Sequence, residues 1–433
     1  MDRVERTTYR LHVRAAMADA VFSAIVWASP EVARKGLGAS VLLVVLLTMS
    51  PSVAQFMSLF LAGRMGGIDR RKLLIVSAIV GRLPLLAVFF VAGPWAFLIL
   101  LTIQAFSWPP IISAWNAVLH ANYSARTRGT LYGRASRYGA IAAGVAALGA
   151  GIWLDRDPQA YRVIYPLAAF LGVLSCWIFA AIPVRRGRSA VASAVRVDTL
   201  GTLRRILVED RAFRRYEIGF FLYGLAFMAV ITAKPIFSVD KLQLSYTVIL
   251  GSKALFSVME ILSMPLMGRL MDRLGPARLA AASYGLLALH AVLLLVSRGP
   301  VTFCIAEGVF GAAMAGVLIA WNMGPVTFAR DGDAMRYMAV HVALVGARGL
   351  IGHPVGGVIV HLTGDPRWVF LFGLGLWIAG SIAMRRLGRD MARDAAAPEK
   401  PALTEEPVEE PVPTESSGPA PAGSAPEMKE SAP

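Results

Sequence analysis

Roughly 20 mostly apolar residues in a row are enough for one helix to cross the hydrocarbon core of a bilayer. This chain holds twelve such runs, at 12–29, 39–62, 73–92, 95–118, 134–153, 161–183, 216–237, 246–267, 279–297, 300–323, 338–361 and 366–384. Lipid offers the backbone no hydrogen-bond partner, so each run must satisfy its own amides and is read as helix, not strand. Charged residues make up only 16% of the 433, against about a quarter in soluble domains. The fold class expected is an all-α polytopic membrane protein with 12 transmembrane helices. The run at 12–29 is the weakest, because Arg14 and Asp19 interrupt it.

The formal net charge of +15 invites a nucleic-acid reading, but the cations sit in short clusters between the apolar runs. They are Arg70, Arg71 and Lys72; Arg126, Arg128 and Arg134; Arg185, Arg186 and Arg188; Arg269, Arg273 and Arg278; and Arg385 and Arg386. No soluble face gathers them, so no nucleic-acid partner is expected. Cations concentrate in cytoplasmic loops, which places both termini and the 184–215 connector in the cytoplasm, with the chain crossing a plasma (inner) membrane. No cleavage-site pattern follows the Arg-rich start, so the first helix itself is expected to direct insertion.

The connector alternates Leu200, Leu203, Ile206 and Leu207 with Arg204, Arg205, Arg211, Arg214 and Arg215, the pattern of a basic amphipathic helix at a membrane surface. The segment 386–433, rich in Pro, Glu, Ala and Ser, lacks the apolar residues for a core and is expected to be a disordered tail. Cys176 and Cys304 lie inside apolar runs without metal or disulfide spacing. No Walker A run is present, and no nucleophile–base cluster marks an enzyme.

The two halves share a register. Pro30 and Pro235 are 205 residues apart, Gly63-Arg64 and Gly268-Arg269 again 205, and Trp115-Asn116 and Trp321-Asn322 206. Landmarks at a constant offset and at matching places in the helix order indicate duplication. The domains expected are six-helix bundles at 1–183 and 216–385, joined by the connector.

The loop Gly268-Arg269-Leu270-Met271-Asp272-Arg273-Leu274-Gly275-Pro276-Ala277-Arg278 resembles the signature between helices eight and nine of the major facilitator superfamily. Its first-half counterpart runs from Gly63 to Lys72, with Gly67 where the family usually has Asp and Asp69 displaced by two places. Gly352-His353-Pro354-Val355-Gly356-Gly357 resembles the family's Gly- and Pro-rich packing segments. The resemblance spans about residues 10–385. It implies a secondary transporter working by alternating access, in which Asp69, Arg70, Asp272 and Arg273 belong to a gate that closes the cytoplasmic side. Asn116 and Asn322, at the inner ends of symmetric helices, are read either as gate bridges or as neighbours of anchoring indoles.

Ionisable groups at bilayer depth cost about 2.5–3.5 kcal/mol each on insertion scales, so each needs a partner, water or a function. Those present are Asp19, Arg82, Lys234, Lys253, Glu260, Glu307 and Arg348. The resemblance places Asp19, Gln104, Lys253, Glu260, Glu307 and Arg348 on helices lining a central cavity. Either Glu260 or Glu307 is expected to pair with Arg348, a carboxylate there taking up a coupling proton; Arg82 is read as structural and Lys234 as reaching to the outer surface. His290, His341 and His353 share no metal-ligand spacing and are read as satisfied by neighbours. The expectation is a monomeric, proton-coupled transporter of a small solute, with no cofactor. The competing readings are a sensor or scaffold, or a lipid-acting membrane enzyme, on the same fold.

Overall fold

A computed structural model describes residues 2–65, 69–124, 126–184, 199–329 and 334–396. The Arg185–Arg188 cluster, Gly67, the side chains of Arg64, Leu200 and Leu203, and the tail beyond Ala396 lie outside the described residues. Met1–Met391 form one compact unit; of a second, Ala392–Pro433, the described part is the end of the last helix. Every regular element among the described residues is helical.

In chain order these are α1 (Arg3–Val26), α2 (Ser29–Gly36), α3 (Val41–Met65), α4 (Arg70–Ser77), α5 (Pro94–Asn122), α6 (Arg128–Arg156), α7 (Tyr161–Ala180), α8 (Thr199–Glu209), α9 (Arg211–Ile236), α10 (Tyr246–Val296), α11 (Pro300–Phe328), α12 (Ala334–Thr363) and α13 (Arg367–Ala396). α13 continues past the boundary at 385 that composition places there. The helix following α4 passes through a π turn at Ala78–Arg82 into a 3-10 stretch at Leu83–Phe90. Pro84 lacks the amide that a regular helix needs here, which is the local cause of the change.

Among the described residues, eleven helical segments are long and apolar enough to cross a membrane. One of them, α10, has 51 residues, and at 1.5 Å per residue that is about twice what one crossing requires. It breaks at Gly275, whose φ of +74° suits glycine and few other residues, with Pro276 next in the chain. Two crossings therefore lie in this one element, giving the twelve read from the sequence.

Polar residues fix where the helices begin. Asp210 accepts the Phe213 amide at 2.8 Å, Asp69 the Lys72 amide at 3.0 Å, and Ser245 the Val248 amide at 3.2 Å, each satisfying a donor the first helical turn leaves free. The connector helix α8 packs against α9 and α12, with Ile206 buried while Arg204 and Arg205 are exposed. The Arg214 guanidinium reaches back to the Leu207 carbonyl at 3.0 Å.

Close helix contacts come from missing side chains. Gly346 and Gly349 on α12 lie against Phe56 and Ser52 of α3, and Gly352 and Gly356 lie against the α9 backbone at Leu225 and Ala229. Small residues let helix backbones approach in lipid, where dispersion and not water exclusion drives packing.

Candidate functional site

A cavity of about 490 Å³ lies among α1, α2, α3, α6, α9, α10 and α11, within the range that holds a small organic ligand. Its wall is largely apolar: Trp27, Leu47, Phe227, Ile231, Phe256, Phe303, Phe310 and Met314. Four charged side chains enter it, as two ion pairs. Lys253 on α10 donates to Glu31 on α2 at 2.9 Å and to the Trp27 carbonyl at 2.6 Å. Lys234 on α9 donates to both carboxylate oxygens of Glu307 on α11, at 2.7 and 2.8 Å, with its Nζ 4.2 Å from the Phe310 ring centroid.

The backbone places these groups. Pro30 and Pro235 are the first of the duplicated landmarks, and both line the cavity. Glu31 follows one and Lys234 precedes the other, so the charges stand beside equivalent helix features. Lys253 and Phe256, three residues apart on α10, share a face.

Several residues expected at the cavity are elsewhere. Asp19 pairs with Arg82 at 2.6 Å, and the Arg82 guanidinium also donates to the Gly172 carbonyl at 2.7 Å and stacks over Phe22. This network ties α1 to the third crossing and α7, and neither residue lines the cavity. Arg82 has the structural surroundings expected of it. Gln104 is buried on α5, away from the wall.

Arg348 does not pair with Glu260 or Glu307. It donates to the Phe220 carbonyl at 2.8 Å, lies 5.5 Å from the Tyr223 ring and crosses Gly224, where a Cβ has no room. Glu307 is instead taken by Lys234, which turns inward and does not reach to the surface. Glu260 is half-buried and makes no hydrogen bond or ion pair among the described residues. It lies seven residues along α10 from Lys253, about 10.5 Å further down the helix.

Neighbours satisfy both ring nitrogens of His353 but only Nδ1 of His341 and His290, whose Nε2 atoms are buried without a partner among the described residues. His353 on α12 sits between Thr232 of α9 at 2.8 Å and Ser52 of α3 at 3.2 Å. His341 meets Glu217 at 2.8 Å, and His290 the Ala306 carbonyl at 2.8 Å. No group of potential metal ligands occurs among the described residues.

The two ends of the bundle differ. At one, Arg34 on α2 forms a 2.6 Å ion pair with Asp240, and the Lys35 ammonium donates to the Leu244 carbonyl at 2.6 Å. Beside them Asp155, at the end of α6, accepts the Tyr246 and Thr247 amides at the start of α10, at 2.7 and 2.8 Å. This is a carboxylate on a helix N-terminus, where free amides and the helix dipole favour negative charge. A Cβ at Gly151 would stand 2.8 Å from the Thr247 Cα, so only glycine allows this approach.

At the other end, Asp272 and Arg273 are exposed and make no ion pair among the described residues. Asp69 caps its own helix. Asn116 is exposed, and Asn322 donates to the Leu318 carbonyl of its own helix at 2.8 Å. The tryptophans beside these asparagines pack inward, Trp115 stacked on Phe179 at 4.2 Å and Trp321 against His341 at 5.3 Å.

Sequence reading missed Glu31, which falls just past the run at 12–29, and set Lys234 aside. The available signal was the repeat itself, since both flank the paired prolines.

Twelve crossings around a mid-bundle cavity that both halves of the chain line is a transporter plan, and comparison with known proteins decides which one. The Major Facilitator Superfamily profile matches residues 14–323 and 253–423. The chain belongs to the Major Facilitator Superfamily. No curated protein sequence matches it closely. Among solved structures it resembles the nucleoside transporter NupG, with a TM-score of 0.67 at 14% identity, covering 89% of this chain and 99% of NupG. A D-xylose-proton symporter gives a TM-score of 0.66 at 13% identity, covering 88% and 97%. The human organic anion transporter MFSD10 gives 0.58 at 16% identity, covering 89% and 100%. Such identities carry the superfamily fold and no more. As a superfamily member the chain is a multi-pass membrane transporter and not an enzyme.

Proposed function

We propose that this chain is a secondary active transporter that moves a small solute by alternating access, with a proton exchanged at a cavity carboxylate. The observation that carries the reading is the Glu31–Lys253 pair, which joins α2 and α10 across the solute cavity. Rocking of the two six-helix halves about a central site is how duplicated transporters expose that site to each side in turn. The 1–183 and 216–385 bundles are the moving bodies in this reading.

Orientation follows from the cations. Arg70, Arg128, Arg134, Arg273, Arg278 and Arg385 gather at the Asp272 end, which the positive-inside rule assigns to the cytoplasm of the inner membrane. The Arg34–Asp240 and Asp155 contacts then seal the outer side, and the unpaired Asp272 and Arg273 mark a cytoplasmic gate that engages in the opposite state. Asp69, Arg70, Asn116 and Asn322 stand at the same end.

Coupling follows from the pairs. A solute that draws a lysine from its glutamate leaves a buried charge without its counter-charge, an arrangement costing about 3–5 kcal/mol. Protonating the carboxylate removes that cost. Glu31 and Glu307 hold these positions, and Glu260, lower on α10, has no cation to release.

Proteoliposome flux tests this reading. An imposed pH gradient should drive solute accumulation, and Glu307→Gln or Glu31→Gln should abolish accumulation while counterflow persists. Absence of counterflow for every solute class tried would leave a sensor or scaffold as the better account.

A further inference from the structure

We propose that the cavity takes a small organic monoanion with an aromatic or aliphatic body, its anionic group docking on the Lys253 ammonium. This rests on the transport reading, because it names the solute class of the same cavity.

The two pairs present opposite faces to the solute. In each, the lysine is the more accessible side chain: Lys253 is 31% exposed against 6% for Glu31, and Lys234 12% against 4% for Glu307. A cationic solute would have to reach a nearly buried carboxylate held by its own lysine. An anion meets an ammonium directly.

Lys253 is also the more open of the two lysines. Its ammonium lies 2.6 Å from the Trp27 carbonyl and 2.9 Å from both Glu31 oxygens, yet its side chain remains the most exposed of the four. Lys234 likewise meets both oxygens of its glutamate but also lies over the Phe310 face and is less exposed. One accessible ammonium, flanked by a carboxylate that repels a second negative charge, selects a single charge.

The rest of the wall disfavours polyols. The Thr48 hydroxyl donates to Val44, Ser252 to Ile249 and Ser257 to Lys253, all carbonyls of their own helices, which leaves the buried Ser23 hydroxyl as the one lining hydroxyl without a partner among the described residues. A sugar would leave most of its hydroxyls unpaired against Phe227, Phe256 and Phe303, and unpaired buried polar groups are costly.

Calorimetric titration of the full chain in lipid nanodiscs with 1-naphthoate, 1-naphthylmethylamine and 1-naphthalenemethanol tests the charge preference at nearly constant shape. Naphthoate should bind about ten-fold or more tightly than either isostere, a difference of about 1.4 kcal/mol. Lys253→Gln should erase that preference, Lys253→Arg should keep it, and Glu31→Gln, by removing the competing carboxylate, should tighten naphthoate. The opposite directions expected of Lys253→Gln and Glu31→Gln separate loss of the docking group from loss of the fold. Equal binding of the three probes, or a preference untouched by Lys253→Gln, overturns the proposal. Counterflow in proteoliposomes keeps the two readings apart. Anion-selective binding without counterflow supports this site and removes the transport reading, whereas counterflow of neutral or cationic solutes without anion preference removes this site and leaves transport standing.

Discussion

The Lys253 ammonium sits 2.9 Å from the Glu31 carboxylate, and Lys234 holds Glu307 at 2.7 Å, yet the two pairs are not energetically alike. The first is open to the cavity on its lysine side. The second is more buried on both. A buried pair in low dielectric contributes little net stability as a pair, but breaking it by removing one partner strands a charge.

Lys234→Ala should therefore lower stability by about 3–5 kcal/mol, and adding Glu307→Ala should restore most of the loss. Thermal unfolding in nanodiscs reads both. A double variant no more stable than the single one would mean that the pair is not the source of the effect.

The buried Asp19–Arg82 pair predicts the same pattern away from the cavity. Asp19→Asn should destabilise by about 3 kcal/mol or more, because Arg82 is wholly buried and loses its charged partner. Solute affinity, measured on the fraction that remains folded, should stay within about two-fold of the parent, since neither residue lines the cavity. A selective loss of affinity with intact stability would return Asp19 to the solute site.

Arg34 and Asp240 are each about a quarter to a third exposed, so this pair should add no more than about 1 kcal/mol to stability. That is still enough to shift a two-state equilibrium about five-fold. Spin labels on cysteines replacing the exposed Arg156 and Lys241 should show a longer-distance population growing in Arg34→Ala. Distance distributions that coincide with the parent's would remove the lock.

Gly151→Val places a branched side chain against the Thr247 backbone, where a Cβ alone would already stand 2.8 Å from the Cα. The variant should fold, because the clash exists only while α6 and the start of α10 are together, but it should stay open at that end. A cysteine at Ser252 should then react with an impermeant maleimide added from the Arg34 side. Protection equal to the parent's would show that the helices have another way to close.

Asp272 is exposed and makes no ion pair among the described residues, so Asp272→Asn should leave the unfolding temperature within the range of ordinary surface changes, about 0.5 kcal/mol. Turnover should fall if the group closes the cytoplasmic side in the opposite state. Unchanged transport would end its role as a gate.

The sequence alone was sufficient for the twelve crossings, since each run had to bond its amides internally and its length had to match the bilayer. It also held Pro30 and Pro235 at a matching offset, and the 268–278 loop read between two runs is where α10 breaks, at Gly275. Which charges meet was not legible. Partners are set by the rotation and tilt of each helix, and one residue turns the side chain by about 100°. Arg348 and Glu307 therefore read as neighbours along the expected lining helices, while packing turned Arg348 onto Phe220 and gave Glu307 to Lys234. Glu31 stood outside the apolar run, and only the fold of α2 back toward α10 brought it to the cavity. Hydropathy determined what had to enter the membrane; side-chain packing decided which buried charges became partners, because a charge in low dielectric is satisfied only by what lies within a few ångströms of it.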